Sequence, residues 1–548
     1  MDWVSASSSS LDPTSAVVYG TTVLAALLVA KSIWGSKSPG KPIPGPPRLP
    51  LIGNALDMPM DQEWLAYEKW KRKYGDIVAL DVLGQQVVVL NTPEYIHELM
   101  EKRAATSSGR MHFNMCGKLV GFKKTTVFLP PDAEWRETRA LMRQTVGPKG
   151  VKSHIWLIEA EFTKLLGRIL NTNGGQRLMN EIRHAVGAVT IGITYGLPVP
   201  HYADPLIGDV ELAMAHFSKT TRAGAYYVDV FPSLEYVPSW FPGAGFKREA
   251  ATMRADMDRA VNNPFNAAMD VINNTKIKSA FVHDHMSHSD LTPEKADTIK
   301  WSAISLYLAG SDTASGVIHV FFLAMAMFQE VQARAREEIH RVVGRSRLPT
   351  LHDRPSLPYM DALLRESLKA SLFLFFSPLP RSMQGRMITS KFLLAAPHMT
   401  TADEMINGYF IKAHTLLLSN SWSILHDEKY FSNPEEFVPE RFLGDEGKAR
   451  GATAELDPLN YVFGHGRRAC PGQELAEREV WMAMASVLSS LKVMKPLDAD
   501  GNERDVPAIF LSGSISHAAP FECRIRPFDD LAEKMIQAAI AGMETESV

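Results

Sequence analysis

The sequence has few cysteines and no long run of charge of one sign, and each lack argues against a class of protein. Its three cysteines, Cys116, Cys470 and Cys523, are far apart in 548 residues, which disfavours a disulfide framework and predicts reduced thiols. The formal net charge is −3, with both signs interspersed, so no nucleic-acid partner is expected. No repeat of about 20–50 residues recurs, which disfavours solenoids and propellers.

The sequence also lacks an internal linker, because no Ser/Gly-rich or charged run interrupts it between about residue 50 and residue 525. Amphipathic periodicity predicts helices throughout, among them residues 61–74, 135–144 and 330–343. Alternation typical of strands is confined to residues 77–83, 86–90 and 410–418. We therefore predict one large, mainly α domain with a minor β region over residues 51–527. The tail, residues 528–548, is predicted to form at most a weak helix.

Near the N-terminus, residues 16–30 form an uncharged apolar run that is followed by Lys31 and Trp34. A bilayer core needs about 20 apolar residues, fewer when flanking groups such as lysine reach the headgroups, and tryptophan suits the interface. We predict a transmembrane anchor at residues 16–34 after a lumenal segment, residues 1–15. Because the basic charge follows the span, the rest of the chain is predicted to face the cytosol.

A cleaved signal peptide is the alternative reading of this region. Asp2 and Asp12 precede the apolar run without any lysine or arginine, and no clear small-residue cleavage site follows it, so the anchor is favoured. Residues 35–50 are rich in proline, which fixes φ and cannot propagate a helix or sheet. They are predicted to form a semi-rigid hinge between membrane and domain.

The most informative stretch is FGHGRRACPG, residues 463–472. Two glycines before Cys470 and a Pro-Gly after it allow a tight loop that no regular element could make. Such a loop presents a thiolate at one point, with backbone N–H groups free to hydrogen-bond to the sulfur. Arg467 and Arg468 add positive charge that stabilises a thiolate or pairs with an anion. A buried structural cysteine in a basic turn is the alternative, and the spacing of the surrounding residues disfavours it.

The residues around Cys470 resemble the haem-binding signature of the cytochrome P450 superfamily. Phe463, Gly466, Arg468, Cys470 and Gly472 match its fixed positions, and the resemblance, closest to fungal microsomal members, covers nearly the whole chain. It implies the cytochrome P450 fold and haem b (iron protoporphyrin IX) as cofactor. It also implies Cys470 as axial ligand of the iron and Arg468 as a propionate partner. Thiolate donation suits oxygen activation.

A second motif is AGSDTA, residues 309–314, within an apolar helical run, residues 301–327. Gly310 costs about 1 kcal/mol relative to alanine in mid-helix, which suggests that a ligand approaches the backbone there. Thr313 can hold a water and Asp312 can relay protons to dioxygen. The alternative is that Thr313 bonds back to a helix carbonyl and Asp312 lies on a solvated face. The resemblance implies the catalytic acid–alcohol pair.

The resemblance extends to further contacts with the haem propionates. Trp135 and Arg139 are four residues apart and share a helical face, and in the family this pair points at a propionate. A surface arginine beside a packed tryptophan is the alternative. His398, which follows Pro397, resembles the donor on the propionate-binding strand.

Two departures from the family pattern stand out. Glu366 and Arg441 match a buried charged network, but Lys369 occupies a position where the family has arginine. Lysine offers one ammonium in place of a bidentate fork, a loss of about 2–4 kcal/mol if the group is buried. Residues 370–392 form an extra segment, apolar and then irregular, which looks like a translated intron. A genuine insertion is the alternative.

The resemblance implies a monooxygenase that oxidises an apolar small molecule with O2. No flavin or nicotinamide fingerprint is present, so electrons are expected from NADPH through a separate NADPH–cytochrome P450 reductase. We expect a single-pass protein of the endoplasmic reticulum membrane in fungal secondary metabolism, with a terpenoid-like substrate. Two alternatives stay open: a haem-thiolate isomerase or dehydratase, which Asp312 and Thr313 disfavour, and a haem-binding relative impaired by Lys369 and the extra segment.

Overall fold

A computed structural model of the chain has the predicted mainly α architecture with a minor β region. The structure describes residues 39–59, 63–170, 172–222, 224–274, 279–287, 291–371, 397–444, 456–509 and 518–546. The predicted lumenal segment and membrane anchor, and residues 372–392 of the extra segment, lie outside these ranges.

The predicted helices are present, each with slightly wider or shifted bounds. The α-helices are α1 (Glu63–Tyr74), α2 (Pro93–Ile96), α3 (Ala133–Val146), α4 (Ile155–Ile169), α5 (Gly175–Tyr195), α6 (Pro205–Thr220), α7 (Tyr227–Val230), α8 (Gly245–Asn274), α9 (Phe281–Met286), α10 (Pro293–Met327), α11 (Gln329–Val342), α12 (Pro358–Ser371), α13 (Ser421–Leu425), α14 (Leu459–Val462), α15 (Gln473–Ser490) and α16 (Asp530–Glu546). Short 3₁₀ turns are Phe122–Lys124, Gly150–His154, Pro232–Tyr236, Arg354–Ser356, Pro439–Phe442 and Gly466–Arg468, and π-helical turns are His97–Lys102 and Asn114–Val120.

In the described ranges the strands form one four-stranded sheet and two antiparallel two-stranded sheets. They are β1 (Ile77–Val82), β2 (Gln85–Leu90), β3 (His398–Met399), β4 (Glu404–Ile406), β5 (Tyr409–Ile411), β6 (Leu416–Ser419), β7 (Leu491–Met494) and β8 (Arg524–Pro527). The large sheet has the order β1-β2-β6-β3, with β2 and β6 parallel and the other neighbours antiparallel. The single strand predicted for residues 410–418 is wrong, because a turn with His414 at φ +63° separates β5 from β6.

Helix α10 runs through the core and packs against α5, α3, α12 and α15. Within the described ranges it is the one helix apolar and long enough to cross a bilayer, but 67% of its apolar window is buried inside the protein, as in a core helix. Gly310 lies where α10 approaches α5: a Cβ there would be 2.9 Å from Thr190 Cγ2. Close helix packing therefore explains this glycine, in place of the ligand approach expected from the sequence.

Both ends of the described chain are attached to the domain. Residue 41 bridges Tyr409 of β5, and Ala79 N–H of β1 donates to Pro44 O at 2.8 Å, so the proline-rich stretch lies against the sheets from that point on. At the other end α16 packs on α4. A Cβ at Gly167 would be 2.6 Å from Ile540 Cδ1, and Ile536 is fully buried.

Candidate functional site

The loop between α14 and α15 holds Cys470 in a tight turn. Cys470 N–H donates to Phe463 O at 2.7 Å, which closes the loop. Gly464 and Gly466 have φ of +74° and +54°, a region that L side chains rarely adopt. A Cβ at Gly466 would be 2.1 Å from Met100 O, so the loop also needs glycine to approach the turn His97–Lys102.

Cys470 faces an internal cavity. It is exposed, whereas Cys116 and Cys523 are buried, and all three are free thiols. Burial nevertheless raises the pKa of Cys470, so protein surrounds it on most sides. A side chain that borders an enclosed space inside the protein is both accessible and shielded from bulk solvent, which accounts for both observations on Cys470. Gly472 N–H bonds to the sulfur and the charge of Arg139 faces it, and both lower its pKa.

Arg468 extends from this loop with one nitrogen left without an acceptor. Nε donates to Ser108 O at 2.8 Å and Nη2 to Leu129 O at 2.7 Å. Nη1 is buried, and no described residue accepts a hydrogen bond from it. Burial lowers the pKa of Arg468 to about 10, and the neighbouring charge of Arg139 adds to this effect. An anionic ligand could accept the hydrogen bond that this buried cationic nitrogen is able to donate.

The ring of Trp135 lies close to two arginines, Arg468 and Arg139. The guanidinium carbons of Arg468 and Arg139 are 4.7 and 5.8 Å from its ring centroid. Asp132 begins α3 by accepting Trp135 N–H at 3.0 Å, which fixes this end of the helix. Burial lowers the pKa of Arg139. Trp135 and Arg139 thus face Cys470 and Arg468 and do not form a surface pair.

Arg110 is a member of the cluster that the sequence did not reveal. Its Nη1 donates to Pro397 O at 2.6 Å. Burial lowers its pKa to about 9, and the charges of Arg468 and Arg139 lower it further. No spacing signal marks Arg110, because its partners are distant in sequence.

His398 on β3 borders the same cluster. Its Nδ1 is 3.0 Å from Ser107 O, and since a carbonyl only accepts, Nδ1 carries the proton. Burial and the charge of Arg110 hold the pKa of His398 well below its usual range, so the ring is neutral. Nε2 of a neutral ring protonated at Nδ1 accepts hydrogen bonds and donates only when the ring is cationic. The donor role expected from sequence therefore needs a nearby anion.

Together these groups fit a planar ligand that carries two carboxylates and a central metal. Arg468 is buried and Arg110 and Arg139 are half-buried. Besides burial, mutual repulsion lowers the pKa of Arg110 and Arg468, and an added dianion would relieve that repulsion. The thiol of Cys470 beside them supplies a soft ligand for iron. The donor set fits a haem.

Asp312 and Thr313 occupy a part-exposed stretch of α10. Residues 309–313 are exposed or half-buried, although residues 302–308 and 314–316 are buried, so this stretch borders an open space inside the core. Thr313 Oγ1 donates to Ala309 O at 2.8 Å, the helix contact considered above as the alternative. The hydroxyl lone pairs remain able to accept a proton donor. Helix α10 packs against α3 and α15, the helices next to the cluster and the loop.

Glu366, Lys369 and Arg441 form a separate buried network. Arg441 Nε is 3.1 Å from Glu366 Oε2, and its other nitrogens donate to the carbonyls of residues 432, 433 and 436. Lys369 is fully buried, donates to Pro434 O at 2.7 Å and lies 3.6 Å from Glu366 Oε1. Lysine thus supplies the charge that the position requires but reaches fewer acceptors than a guanidinium could.

Comparison with known proteins identifies this architecture. A family profile described as Cytochrome P450 matches residues 43–382 and 386–514, and its interruption lies inside the extra segment. Cytochrome P450 monooxygenase 208 of Postia placenta is 36% identical over 521 residues, which cover 95% of this chain and 97% of the relative. Tryptamine 4-monooxygenase of Psilocybe cyanescens is 32% identical, with 88% and 92% covered. Cytochrome P450 monooxygenase claR of Ampulloclitocybe clavipes is 33% identical, with 90% and 88% covered. With its cysteine loop, its arginine cluster and these matches over almost its whole length, the chain belongs to the cytochrome P450 family.

Proposed function

We propose that this chain is a monooxygenase in which Cys470 is the axial ligand of haem b. The observation that supports this proposal is the accessible thiol of Cys470, which accepts a hydrogen bond from the Gly472 N–H and faces the charge of Arg139. Both contacts stabilise the thiolate form that binds iron. When bound, the haem supplies the redox centre at which O2 is activated.

The haem propionates bind to the arginine cluster in this proposal. The open Nη1 of Arg468 would donate to one carboxylate, and Arg110 and Arg139 would neutralise the remaining charge. The ring of Trp135 contacts the guanidiniums of both Arg139 and Arg468. Two carboxylates raise the pKa of His398, so its Nε2 becomes a donor on binding.

Thr313 and Asp312 handle protons in the proposed reaction. The part-exposed stretch of α10 puts both side chains at an open space in an otherwise buried helix. Thr313 Oγ1 holds a water by accepting a hydrogen bond from it, while its own O–H group donates to Ala309 O. Asp312 exchanges protons with that water, which completes a relay into a site closed to bulk solvent.

An active enzyme is favoured over an impaired relative by the intact buried network. Arg441 contacts Glu366 and three backbone carbonyls, and Lys369 lies 3.6 Å from the same carboxylate. An isomerase or dehydratase is disfavoured by the acid–alcohol pair.

The substrate class proposed from the sequence is an apolar secondary metabolite. One relative is a tryptamine 4-monooxygenase, so a terpenoid is one option among several.

We also propose that the domain, residues 51–527, acts at the cytosolic face of the endoplasmic reticulum. It would be anchored by residues 16–34 through the hinge, residues 35–50, and reduced by NADPH–cytochrome P450 reductase. Exposed aromatic side chains between α6 and α8 support a membrane contact, since tryptophan and tyrosine favour the bilayer interface. These side chains, between 49% and 79% exposed, are Tyr227, Phe231, Tyr236, Trp240 and Phe241.

The central test is the carbon monoxide difference spectrum of the reduced protein. We expect a thiolate-ligated Soret band in the wild type, its loss in Cys470→Ala, and its retention in the matched controls Cys116→Ala and Cys523→Ala. Monooxygenase turnover with the reductase and NADPH should follow the same pattern. A thiolate spectrum in Cys470→Ala would refute the assignment.

The membrane proposal is tested by removing residues 1–40. The truncated protein should load haem but no longer sediment with membranes in alkaline carbonate. Replacing Trp240 and Phe241 by serine in the truncated protein should remove residual binding at neutral pH. The Asn273 sequon provides a topology check, because a cytosolic domain is not glycosylated there. A mass shift after glycosidase treatment would reverse the orientation.

A further inference from the structure

His465 lies in the cysteine loop, between two glycines whose backbone is in the left-handed region. Gly464 and Gly466 have φ of +74° and +54°, and Cys470 N–H donates to Phe463 O at 2.7 Å to close the loop. His465 itself belongs to no helix or strand, and its side chain is only 3% exposed. The contacts of this side chain therefore help to fix where the loop lies.

One ring nitrogen of His465 ties the loop to the central sheet. Nε2 is 3.0 Å from Oγ of Ser419, the last residue of β6. Ser419 is paired with Leu90 of β2, and its Oγ is also 3.1 Å from Oγ of Ser421 at the start of α13. The side chains of His465, Ser419 and Ser421 are all buried. Because a buried polar group that loses its partner disfavours an arrangement by about 5- to 160-fold, this contact holds the loop strongly.

The other ring nitrogen of His465 faces a carboxylate across a distance too long for a hydrogen bond. Nδ1 is 4.0 Å from Glu101 Oε1, and Glu101 Oε2 is instead 2.7 Å from His97 Nδ1. His465, Glu101 and His97 all line a cavity of about 590 Å³. Burial lowers the pKa of His465 to about 4, so the ring is neutral. The two nitrogens therefore differ: Nε2 is bonded to the sheet, whereas Nδ1 lies on the side of the cavity.

The backbone of His465 connects this contact to the haem site. Its carbonyl oxygen accepts the N–H of Arg468 at 3.1 Å. Arg468 carries the buried Nη1 that is able to donate to an anion, and Cys470 follows two residues later. A Cβ at Gly466 would be 2.1 Å from Met100 O. The loop is thus held at Gly466 by a close backbone approach and at His465 by a hydrogen bond to β6.

We propose that His465 is a positioning residue for the proposed reaction, and that its hydrogen bond to Ser419 keeps the cysteine loop where the Cys470 thiolate reaches the haem iron. The inference rests on the proposed function and adds a residue to it. His465 acts through the loop and does not touch the substrate. The haem-binding signature fixes residues 463, 466, 468, 470 and 472, so the signature by itself assigns no role to residue 465.

The test measures how fast the thiolate ligand is lost from the iron. The full-length, haem-loaded protein is reduced under carbon monoxide, and the decay of the thiolate-ligated Soret band is followed over time. His465→Phe keeps an aromatic ring but no hydrogen bond, so the band should decay at least about fivefold faster than in the wild type. Ser419→Ala removes the same bond from the side of the sheet and should have a similar effect.

Two further variants distinguish the two ring nitrogens. Glutamine places its amide nitrogen near the position of Nε2, and asparagine places its amide nitrogen near that of Nδ1. His465→Gln should therefore keep the bond to Ser419 and decay within about twofold of the wild-type rate. His465→Asn should decay as fast as His465→Phe, because its amide lies on the side of Glu101. Combining His465→Phe with Ser419→Ala should add little to either change alone, since both remove one bond.

Three controls separate the hydrogen bond from its surroundings and from global stability. Ser421→Ala and Glu101→Gln change the neighbours of the bond but not the bond, so both should decay at the wild-type rate. Ile424→Val, a change at a fully buried residue of α13, should lower global stability without changing the decay rate. Denaturant unfolding measures the stability of each variant, and haem content is measured first.

The outcomes separate this inference from the proposed function. Wild-type decay in both His465→Phe and Ser419→Ala overturns it. Decay in His465→Gln as fast as in His465→Phe overturns it as well, because the hydrogen bond would not be what holds the loop. Equal acceleration by Ile424→Val would trace the effect to global stability and overturn the positioning role. If His465→Phe does not load haem, Ser419→Ala and His465→Gln decide. A wild type without a thiolate band contradicts the proposed function itself, which the other outcomes leave intact.

Discussion

The hydroxyl of Thr313 on α10 is placed where it can determine how much of the NADPH consumed leads to product. Thr313 Oγ1 donates to Ala309 O, and Thr313 lies in the part-exposed stretch of α10, residues 309–313. Thr313→Ala should release hydrogen peroxide and lower product per NADPH by roughly tenfold or more, because general acid–base groups typically contribute at least about 100-fold. Product and peroxide are measured per NADPH consumed.

The control for this change is Thr313→Ser, which keeps the hydroxyl and should keep most of the coupling. The helix itself is not at issue, because alanine is a better helix former than threonine. Equal product per NADPH in the wild type and in Thr313→Ala would mean that the hydroxyl of Thr313 serves only in its hydrogen bond to Ala309 O.

Arg110 should matter for haem retention, although nothing in its sequence context indicates it. Its guanidinium is buried beside Arg468 and Arg139. Arg110→Gln removes a charge-assisted hydrogen bond of about 1.5–3 kcal/mol, so haem dissociation should accelerate roughly 10- to 150-fold. Transfer of haem to an acceptor protein measures the rate. Arg136→Gln, an exposed arginine of α3, should change it little.

At the scale of elements, α12 and the segment that follows it carry the clearest departure from the family. Lys369 reaches the carbonyl of Pro434, whereas Arg441 alone contacts three neighbouring carbonyls. Lys369→Arg should add one or two hydrogen bonds to this turn and raise stability by about 1–2 kcal/mol. Thermal unfolding and haem content per protein are the measurements.

The extra segment should lower haem occupancy if it is foreign to the fold. It lies between Glu366 on α12 and His398 on β3, two residues that serve the buried network and the haem site. Its Phe-rich half would expose apolar surface and favour aggregation. Deleting residues 375–392 should therefore raise haem content, and combining the deletion with Lys369→Arg should raise it further. Full occupancy in the wild type, with a loss in the deletion, would show that the segment is native.

Elements with strong local patterns were predictable, and those fixed by distant contacts were not. Helices α1, α3 and α11 follow from their apolar periodicity, and β1 and β2 from alternation. The break between β5 and β6 was missed because His414, and not a glycine, takes the positive φ there. The cysteine loop could be predicted because its glycines and arginines are close together in the sequence. Arg110 could not be predicted, because it joins the cluster through a contact with the distant Pro397.

For the whole molecule, buried histidines make stability depend on pH. Burial holds the pKa of His426 well below its usual range and that of His465 at about 4. In the unfolded chain each titrates near pH 6.5. Between the two values the unfolded state binds more protons, so this contribution to stability is full above about pH 6.5 and is lost as pH falls.

His426→Gln isolates one of these histidines. Buried carboxyls such as Glu479, whose pKa is raised by burial, act in the opposite direction, so the difference between the two proteins is the informative quantity. Between pH 7.5 and pH 5.5 the wild type should lose about 1.4 kcal/mol more than His426→Gln. Denaturant unfolding at both pH values measures this difference. Parallel losses would mean that the pKa of His426 is the same in the folded and unfolded states.

The parallel pairing of β2 with β6 sets the order in which the chain can be completed during synthesis. Val87–Leu90 pairs with Leu416–Ser419, so the central sheet stays open until more than three hundred further residues have left the ribosome. At about 5–20 residues per second that takes roughly 16–66 s. Cys470 is made later still, and α16, which covers α4, is made after it. Haem capture is thus a late event, for which the first half of the chain must wait with part of its core uncovered.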